Sequence, residues 1–434
     1  PPRQPPVTQP LNLAVPPPLA VGETIAIGPH SFVLSGVLGE GTYAKVWSAQ
    51  PATATGCLPP PQEGEIEEDK VAVKEMRCGR GHGILPDATL QRALFEVQVM
   101  KRLTAAGKVA APEVLSHQVW PLGPSVPGGA FLCRVAMTRR RGRPLGEWLE
   151  ARAGRNAHAE SPWQSRGCAC NGPAVAAHCG SFLTAVGVAR RMLEQLAPTF
   201  GRLNGEIALH RDVNARNLLV HCADDDEGSP SLSSLEFSVV DFGASMDIRA
   251  WAGKGEGSWQ TENPTGDARY WGPASWARLL AGAPQLSQDK RLLRQYMVGL
   301  DMFSLAVCAL QTLAHLHTAR RPDKACGLMC RGGSQTPGRH YEVLLMDAVQ
   351  ELRSSWDAYW ALAVSSFEHL AEYSRSACFG EARRAAQVWE ELQMAKIPEQ
   401  LAVNLRALCE DLAKVSDLCR SAPPEGTPGS AQQW

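Results

Sequence analysis

Residues 210–220 read H-R-D-V-N-A-R-N-L-L-V. A carboxylate, Asp212, and a carboxamide, Asn217, stand five residues apart in a polar stretch that runs directly into the apolar, β-prone Leu218, Leu219 and Val220. Polar groups at the mouth of a buried strand are costly unless hydrogen-bonded or paired. The chain must therefore fold so that donors, acceptors and charges from distant positions reach this loop. That requirement narrows the architecture more than any other stretch.

Partners of the needed kind occur in order along the chain. Residues 32–38 are apolar and β-prone, and Gly39-Glu40-Gly41-Thr42-Tyr43-Ala44-Lys45-Val46 follows, leading into a second β-prone run at 45–50. Paired glycines let a backbone approach phosphate oxygens with its N–H groups facing the anion; the same residues also read as a tight hairpin turn. After a Pro- and Glu-rich insert at 51–70 comes Val71-Ala72-Val73-Lys74. In a strand, Ala72 and Lys74 share one face. A small Ala there leaves room for a flat base and a Lys reaches phosphate oxygens, although an edge-strand Lys in solvent is the commoner arrangement. Residues 87–103 read as a helix with Asp87 as its N-cap. Ala93, Glu96, Met100 and Leu103 fall on one face, so Glu96 is an acid on an apolar stripe. Such an acid calls for a cation, and Lys74 is the candidate.

Farther on, residues 131–137 read as a strand, 138–144 as a basic link and hinge, and 145–152 as a short helix. The run Arg139-Arg140-Arg141 suits an acidic substrate or a solvated surface equally. Residues 153–180 read as a loop-like insert. Cys168, Cys170, His178 and Cys179 within it lack the C-x-x-C spacing of a zinc site. An amphipathic helix over 182–200 leads to the opening loop. Residues 221–234 are polar and acidic without calcium-site spacing, and a strand over 235–240 ends in Asp241-Phe242-Gly243. Residues 244–266 read as a polar loop with Ser258, Thr261 and Thr265 as candidate phosphoacceptors. Gly266-Asp267-Ala268-Arg269-Tyr270-Trp271-Gly272-Pro273-Ala274 closes it, and Asp301 stands near the start of an apolar run over 298–316. That run reads as a buried helix rather than a membrane span. Residues 341–418 are helical by period. Residues 1–21 and 421–434, rich in Pro, Gly or Ser, are expected to be disordered.

The chain has 434 residues and a formal net charge of −1, a balance that gives no argument for attraction to nucleic acid or membrane. Its 13 cysteines, odd in number and without a basic-then-apolar leader, read as mostly reduced thiols of an intracellular protein, cytoplasmic or nuclear. It begins without Met, which leaves open a trimmed start.

Taken together and in this order, G-x-G-x-x-A-x-V, V-A-V-K, Glu96, H-R-D-x-x-x-x-N, D-F-G, G-D-x-x-Y-x-x-P and Asp301 resemble the eukaryotic-type protein kinases over roughly residues 30–310. The resemblance implies an α+β, bilobal protein kinase fold: a small β-rich N-lobe with one key helix over 22–137, and a large, mainly α-helical C-lobe over 138–420 with inserts near 153–180 and 221–234. It implies ATP and Mg²⁺, with a protein hydroxyl as acceptor, serine or threonine being expected. Gly39, Gly41 and Val46 would cover the nucleotide, and Ala72, Val46 and Leu219 would sandwich the base. Met137 would be the gatekeeper, with Thr138 and Arg139 as hinge backbone. Lys74 would hold phosphate and pair with Glu96, Asp212 would be the base, and Asn217 and Asp241 would hold the metal. Asp301 would hydrogen-bond the backbone of the loop at 210–217. The alternative is a kinase-fold pseudoenzyme or scaffold that binds ATP without efficient turnover. Three departures stand out. Asn214 replaces the Lys usual in serine/threonine kinases, Ala215-Arg216 is reminiscent of tyrosine kinases, and Ala274 replaces the final Glu of the closing stretch, whose usual Arg partner is not apparent. A protein substrate is the implied partner, with no nucleic acid and no membrane span; oligomeric state is not implied.

Overall fold

The computed structural model describes residues 18–41, 44–52, 71–79, 86–105, 107, 109–122, 131–158, 173–222, 232–253, 257–316 and 337–420. The side chains of 86, 87, 153–158, 173–181, 337–343 and 419 are not among those described. The chain is α+β and divides into two units: Pro1–Arg141 with Val240–Ser245, and Gly142–Val239 with Met246–Trp434.

In the first unit, strands β1 (Thr24–Ile27), β2 (His30–Glu40), β3 (Ala44–Pro51) and β4 (Val71–Cys78) precede helix α1 (Pro86–Ala105), and β5 (Val114–Pro121) and β6 (Phe131–Thr138) follow it. The strands form one antiparallel sheet in the order β1-β2-β3-β4-β6-β5. One face carries Ile25, Ile27, Phe32, Leu34, Trp47, Ala49, Val71, Val73 and Ala136, all buried in one cluster. The period of two therefore turns Ala72 and Lys74 to the other face. There Val46 lies opposite Lys74 and Met137 opposite Ala72. Lys74 thus sits on an interior strand, not an exposed edge.

Helix α1 starts at Pro86, whose fixed φ and missing N–H suit a first helical turn. The expected cap, Asp87, is consequently inside the helix rather than at its boundary. Ala93, Glu96, Met100 and Leu103 are all buried, as the 3.6-residue period requires. The basic link is less solvated than its charge suggests. Arg140 donates Nε to the Ala111 carbonyl and Nη2 to that of Val109, each at 2.8 Å, and Arg139 donates to Ser48 Oγ at 3.0 Å.

The second unit begins with β7 (Arg143–Pro144), α2 (Leu145–His158) and α3 (Pro173–Arg202). Helix α2 continues six residues past its expected end, and α3 begins nine residues ahead of its expected start. Much of the 153–180 insert is therefore helical rather than loop-like. The physical reason is composition, because Ala and Arg dominate 151–157 and Ala recurs after Pro173, all strong helix formers. A π-helical turn (Leu203–Ile207) joins α3 to β8 (Ala208–Leu209), followed by β9 (Leu218–Cys222) and β10 (Leu235–Val239). Strands β10, β9 and β7 form a small antiparallel sheet. Gln195 of α3 pins it, accepting from Phe237 N at 2.7 Å and donating to the Leu235 carbonyl at 2.8 Å.

Then come β11 (Met246–Asp247), α4 (Ile248–Trp251), α5 (Ser258–Thr261), α6 (Pro273–Gln288), α7 (Lys290–Val298), α8 (Leu300–Leu316), α9 (Pro337–Cys378), α10 (Ala382–Met394) and α11 (Ile397–Arg420). The expected open loop at 244–266 is partly folded: β11 pairs with β8, and Trp251 and Trp259 bury themselves with Leu209, Ala274, Leu286 and Tyr296. Those aromatic rings anchor a segment whose polar residues alone suggested solvent. Helix α8 is buried along Leu305, Val307 and Cys308. Among the described residues no single helix is long and apolar enough to cross a membrane. The described cysteines are free thiols, with Cys78, Cys133, Cys222 and Cys308 buried and Cys378 and Cys409 exposed. Residues 1–17, 159–172, 223–231 and 421–434 lie outside the described residues. With them go the expected lead-in and tail, Cys168 and Cys170; His178 and Cys179 fall where side chains are not described.

Candidate functional site

In the first unit three ionisable side chains meet. Lys74 Nζ lies 2.6 Å from Glu96 Oε1 and 2.8 Å from Asp241 Oδ1. Glu96 is 3% exposed as a side chain and Asp241 52%. Burial alone would lower the Lys74 pKa, but the Glu96 and Asp241 carboxylates outweigh it and raise the pKa above its ordinary value. Lys74 is therefore a fixed cation with an exposed acid beside it. Asp241 itself has φ +63, a left-handed backbone unusual for a non-glycine residue. Such strained backbone often accompanies function.

The hairpin between β2 and β3 carries the glycines. Gly39 pairs with Val46, and Gly41 N donates to the Ala44 carbonyl at 2.8 Å. Its tip, residues 42 and 43, is outside the described residues. Val46, Ala72, Lys74 and Met137 are neighbours on one sheet face. Thr138 exchanges bonds with Glu113, its N donating to the Glu113 carbonyl at 2.8 Å and its Oγ1 accepting from Glu113 N at 2.9 Å. Arg139 follows it, held on Ser48.

In the second unit the loop at 210–217 is fixed from beneath by Asp301. This carboxylate is 1% exposed. Its Oδ2 accepts from His210 N at 2.6 Å and its Oδ1 from Arg211 N at 2.8 Å. Asn204, oriented with its amide nitrogen toward Asp301, adds a donor to Oδ2 at 2.7 Å and bonds the Ala208 carbonyl at 3.2 Å. The π-helical turn supplies that residue, a local signal the helical period does not reveal. Burial raises the Asp301 pKa; His210, Arg211 and the two backbone N–H groups partly counter it. The His210 ring meets Phe200 edge-on at 6.0 Å, and Arg211 has φ +69.

Three donors among the described residues hold the Asp212 carboxylate. Its Oδ1 accepts from Asn214 Nδ2 at 2.7 Å and Asp267 N at 2.9 Å, and its Oδ2 accepts from Asn217 Nδ2 at 3.0 Å. Asn217 also donates to the Asp212 carbonyl at 2.9 Å. Since its nitrogen is committed, the amide oxygen of Asn217 is the end left for a hard cation. Leu219 lies two residues on, in β9, opposite Ser238.

The segment after α4 is gripped by two buried arginines. Arg278 donates Nε to the Trp259 carbonyl at 3.1 Å and Nη2 to that of Gln260 at 2.6 Å. Arg211 donates to the Asn263 carbonyl at 3.0 Å, lies 3.7 Å from Glu262 and stacks over Trp251 at 5.2 Å. Arg278 and Asn204 were missed in the sequence because neither lies in a recognisable pattern. Ala274, in the place of an expected Glu, is fully buried among apolar side chains. Asp267 forks with Arg269 at 2.5 Å.

Among the described residues no three His, Cys, Asp or Glu side chains converge as a metal cage. The exposed Asp241 carboxylate in the first unit and the Asn217 amide oxygen in the second are each ligands of the kind Mg²⁺ takes. No protein-family model matches the chain, and no curated protein sequence matches it.

Proposed function

We propose that the chain is an ATP-dependent protein kinase transferring the γ-phosphate to a protein hydroxyl, serine or threonine. The accompanying fold is the two-lobed protein kinase fold, supported by the antiparallel sheet with one helix on the face that carries Lys74 and by the helical second unit. The observation that carries the proposal is the convergence of Lys74, Glu96 and Asp241, 22 and 167 positions apart in the chain, within hydrogen-bonding distance. A buried lysine held by one buried and one exposed carboxylate is suited to polyphosphate with a divalent cation.

Lys74 would bind α- and β-phosphate oxygens, with Glu96 fixing its direction. Gly39 and Gly41 would let the hairpin backbone approach the phosphates. Val46 and Ala72, with Leu219, would contact the base, Met137 would bound its pocket, and Thr138 and Arg139 would meet its edge through their backbone. Asn217 and Asp241 would hold Mg²⁺, which when bound neutralises charge developing on the phosphates. Asp212 would orient the acceptor hydroxyl and take its proton. The chain's contribution is positional and electrostatic, since phosphoryl transfer asks little covalent chemistry of it.

The test is incubation of purified protein with Mg²⁺ and γ-labelled ATP, alone and with a generic protein acceptor. Labelling is expected, and Asp212→Asn is expected to abolish it. Equal labelling by that variant would sink the mechanism, and ATP binding without transfer would favour the scaffold alternative. Phosphoamino-acid analysis of the product identifies the acceptor.

A further inference from the structure

Asn214 is polar yet only 4% exposed, and its amide is engaged entirely inside the loop at 212–217. Its Nδ2 donates to the Asp212 carbonyl at 3.1 Å and to Asp212 Oδ1 at 2.7 Å. Its Oδ1 accepts from Arg216 N at 2.9 Å and Asn217 N at 3.2 Å. A carboxamide offers two donor hydrogens and two acceptor sites, and all four are used. Asn214 has nothing left for a substrate. The oxygen folds the backbone of 214–217, whereas the nitrogen holds both the main-chain carbonyl and the carboxylate of Asp212. Asp267 N on the same carboxylate oxygen and Asn217 Nδ2 on the other are further uncharged donors to this carboxylate among the described residues.

We propose that Asn214 is a positioning residue. Through Nδ2 it sets the direction of the Asp212 carboxylate toward the acceptor hydroxyl, and it does so without placing a cation beside the transferred phosphate. The inference rests on the reading of Asp212 as proton acceptor. A side chain serving only to shape the loop would need its oxygen and a donor to the Asp212 carbonyl but not the bond to the Asp212 carboxylate, so the direction of that carboxylate separates the two roles.

Asn214→Asp keeps the oxygen and replaces the donor by a second carboxylate facing Asp212; Asn214→Ala removes both ends. Hydrogen bonds to charged groups have the size that predicts a fall in kcat of roughly 10- to 100-fold for each variant. KM for ATP and for the acceptor should stay within about twofold. Wild-type kcat in Asn214→Asp would overturn the proposal, because that variant has no donor for the Asp212 carboxylate. Crystal structures of wild type and Asn214→Asp give a readout independent of activity. The Asp212 carboxylate should rotate away from Asp267 N while the backbone at 216–217 stays in place. If the wild type transfers no phosphate, the kinase reading fails. An unmoved Asp212 carboxylate in the variant then overturns the positioning role separately, and a rotated one upholds it. The crystallographic comparison also covers an Asn214→Ala protein that does not fold.

Discussion

Gly266 crosses Asp212 so closely that a β-carbon on it would stand 2.7 Å from the carboxylate Oδ1 and 3.0 Å from the α-carbon. Its φ of +88 adds a conformation that side chains other than hydrogen rarely adopt. The same approach lets the next residue, Asp267, donate its N–H to that carboxylate. Gly266→Ala should therefore push the segment off the loop. We expect a stability loss of about 1–3 kcal/mol in denaturant titration and at least a tenfold fall in phosphate transfer, with ATP affinity little changed. Unaltered stability and transfer would show that the close approach has no role.

The Lys74 ion pairs make a prediction about pH. The folded pKa of Lys74 is raised above its ordinary 10.5, so the native state holds this proton more tightly than the unfolded chain. The stabilisation is fully present below pH 10.5 and is lost as pH rises through the raised folded value. Lys74→Met removes the ammonium bonded to buried Glu96, a change expected to cost about 3–5 kcal/mol. The stability deficit of the variant, measured by urea titration, should not shrink between pH 6 and 9 and should shrink only above pH 10.5. A deficit that fades between pH 6 and 9 would contradict the raised pKa.

Arg278 holds the 257–263 segment by its carbonyls alone. Lys at this position keeps the charge but loses the planar fork that serves two acceptors at once. Arg278→Lys should leave the Trp259 or Gln260 carbonyl poorly satisfied and loosen the segment. Limited proteolysis should cut within 248–266 several-fold faster than in wild type, with cleavage elsewhere unchanged. Equal cutting rates would mean that the buried Trp251 and Trp259 suffice to hold the segment.

How much of this was legible in the sequence depended on distance along the chain. Strands β2, β3, β4 and β6 followed from their apolar, β-prone runs, and Glu96 signalled a buried partner simply by its position on the apolar face of α1. Both oxygens of Asp301 reach the backbone of the 210–211 stretch rather than capping their own helix, as the resemblance implied. Helix boundaries were less legible, because Ala-rich ends of α2 and α3 carry helical propensity without the apolar period used to find them. Asn204 and Arg278 were not legible at all. Each acts across a fold-dependent gap, one through a local π-helical turn and the other onto main-chain carbonyls, and neither contact leaves a side-chain complement to search for. Asn214 was visible as an unusual residue, but its four hydrogen bonds depend on the loop already being closed.

The grip on the 257–263 segment has an evolutionary consequence. Arg278 and Arg211 hold Trp259, Gln260 and Asn263 through carbonyl oxygens, and every amino acid presents the same carbonyl. Substitutions at 260 and 263 therefore leave both latches intact. Drift can recolour the outer surface of this stretch, and with it whatever the surface recognises, while the loop beneath keeps its shape.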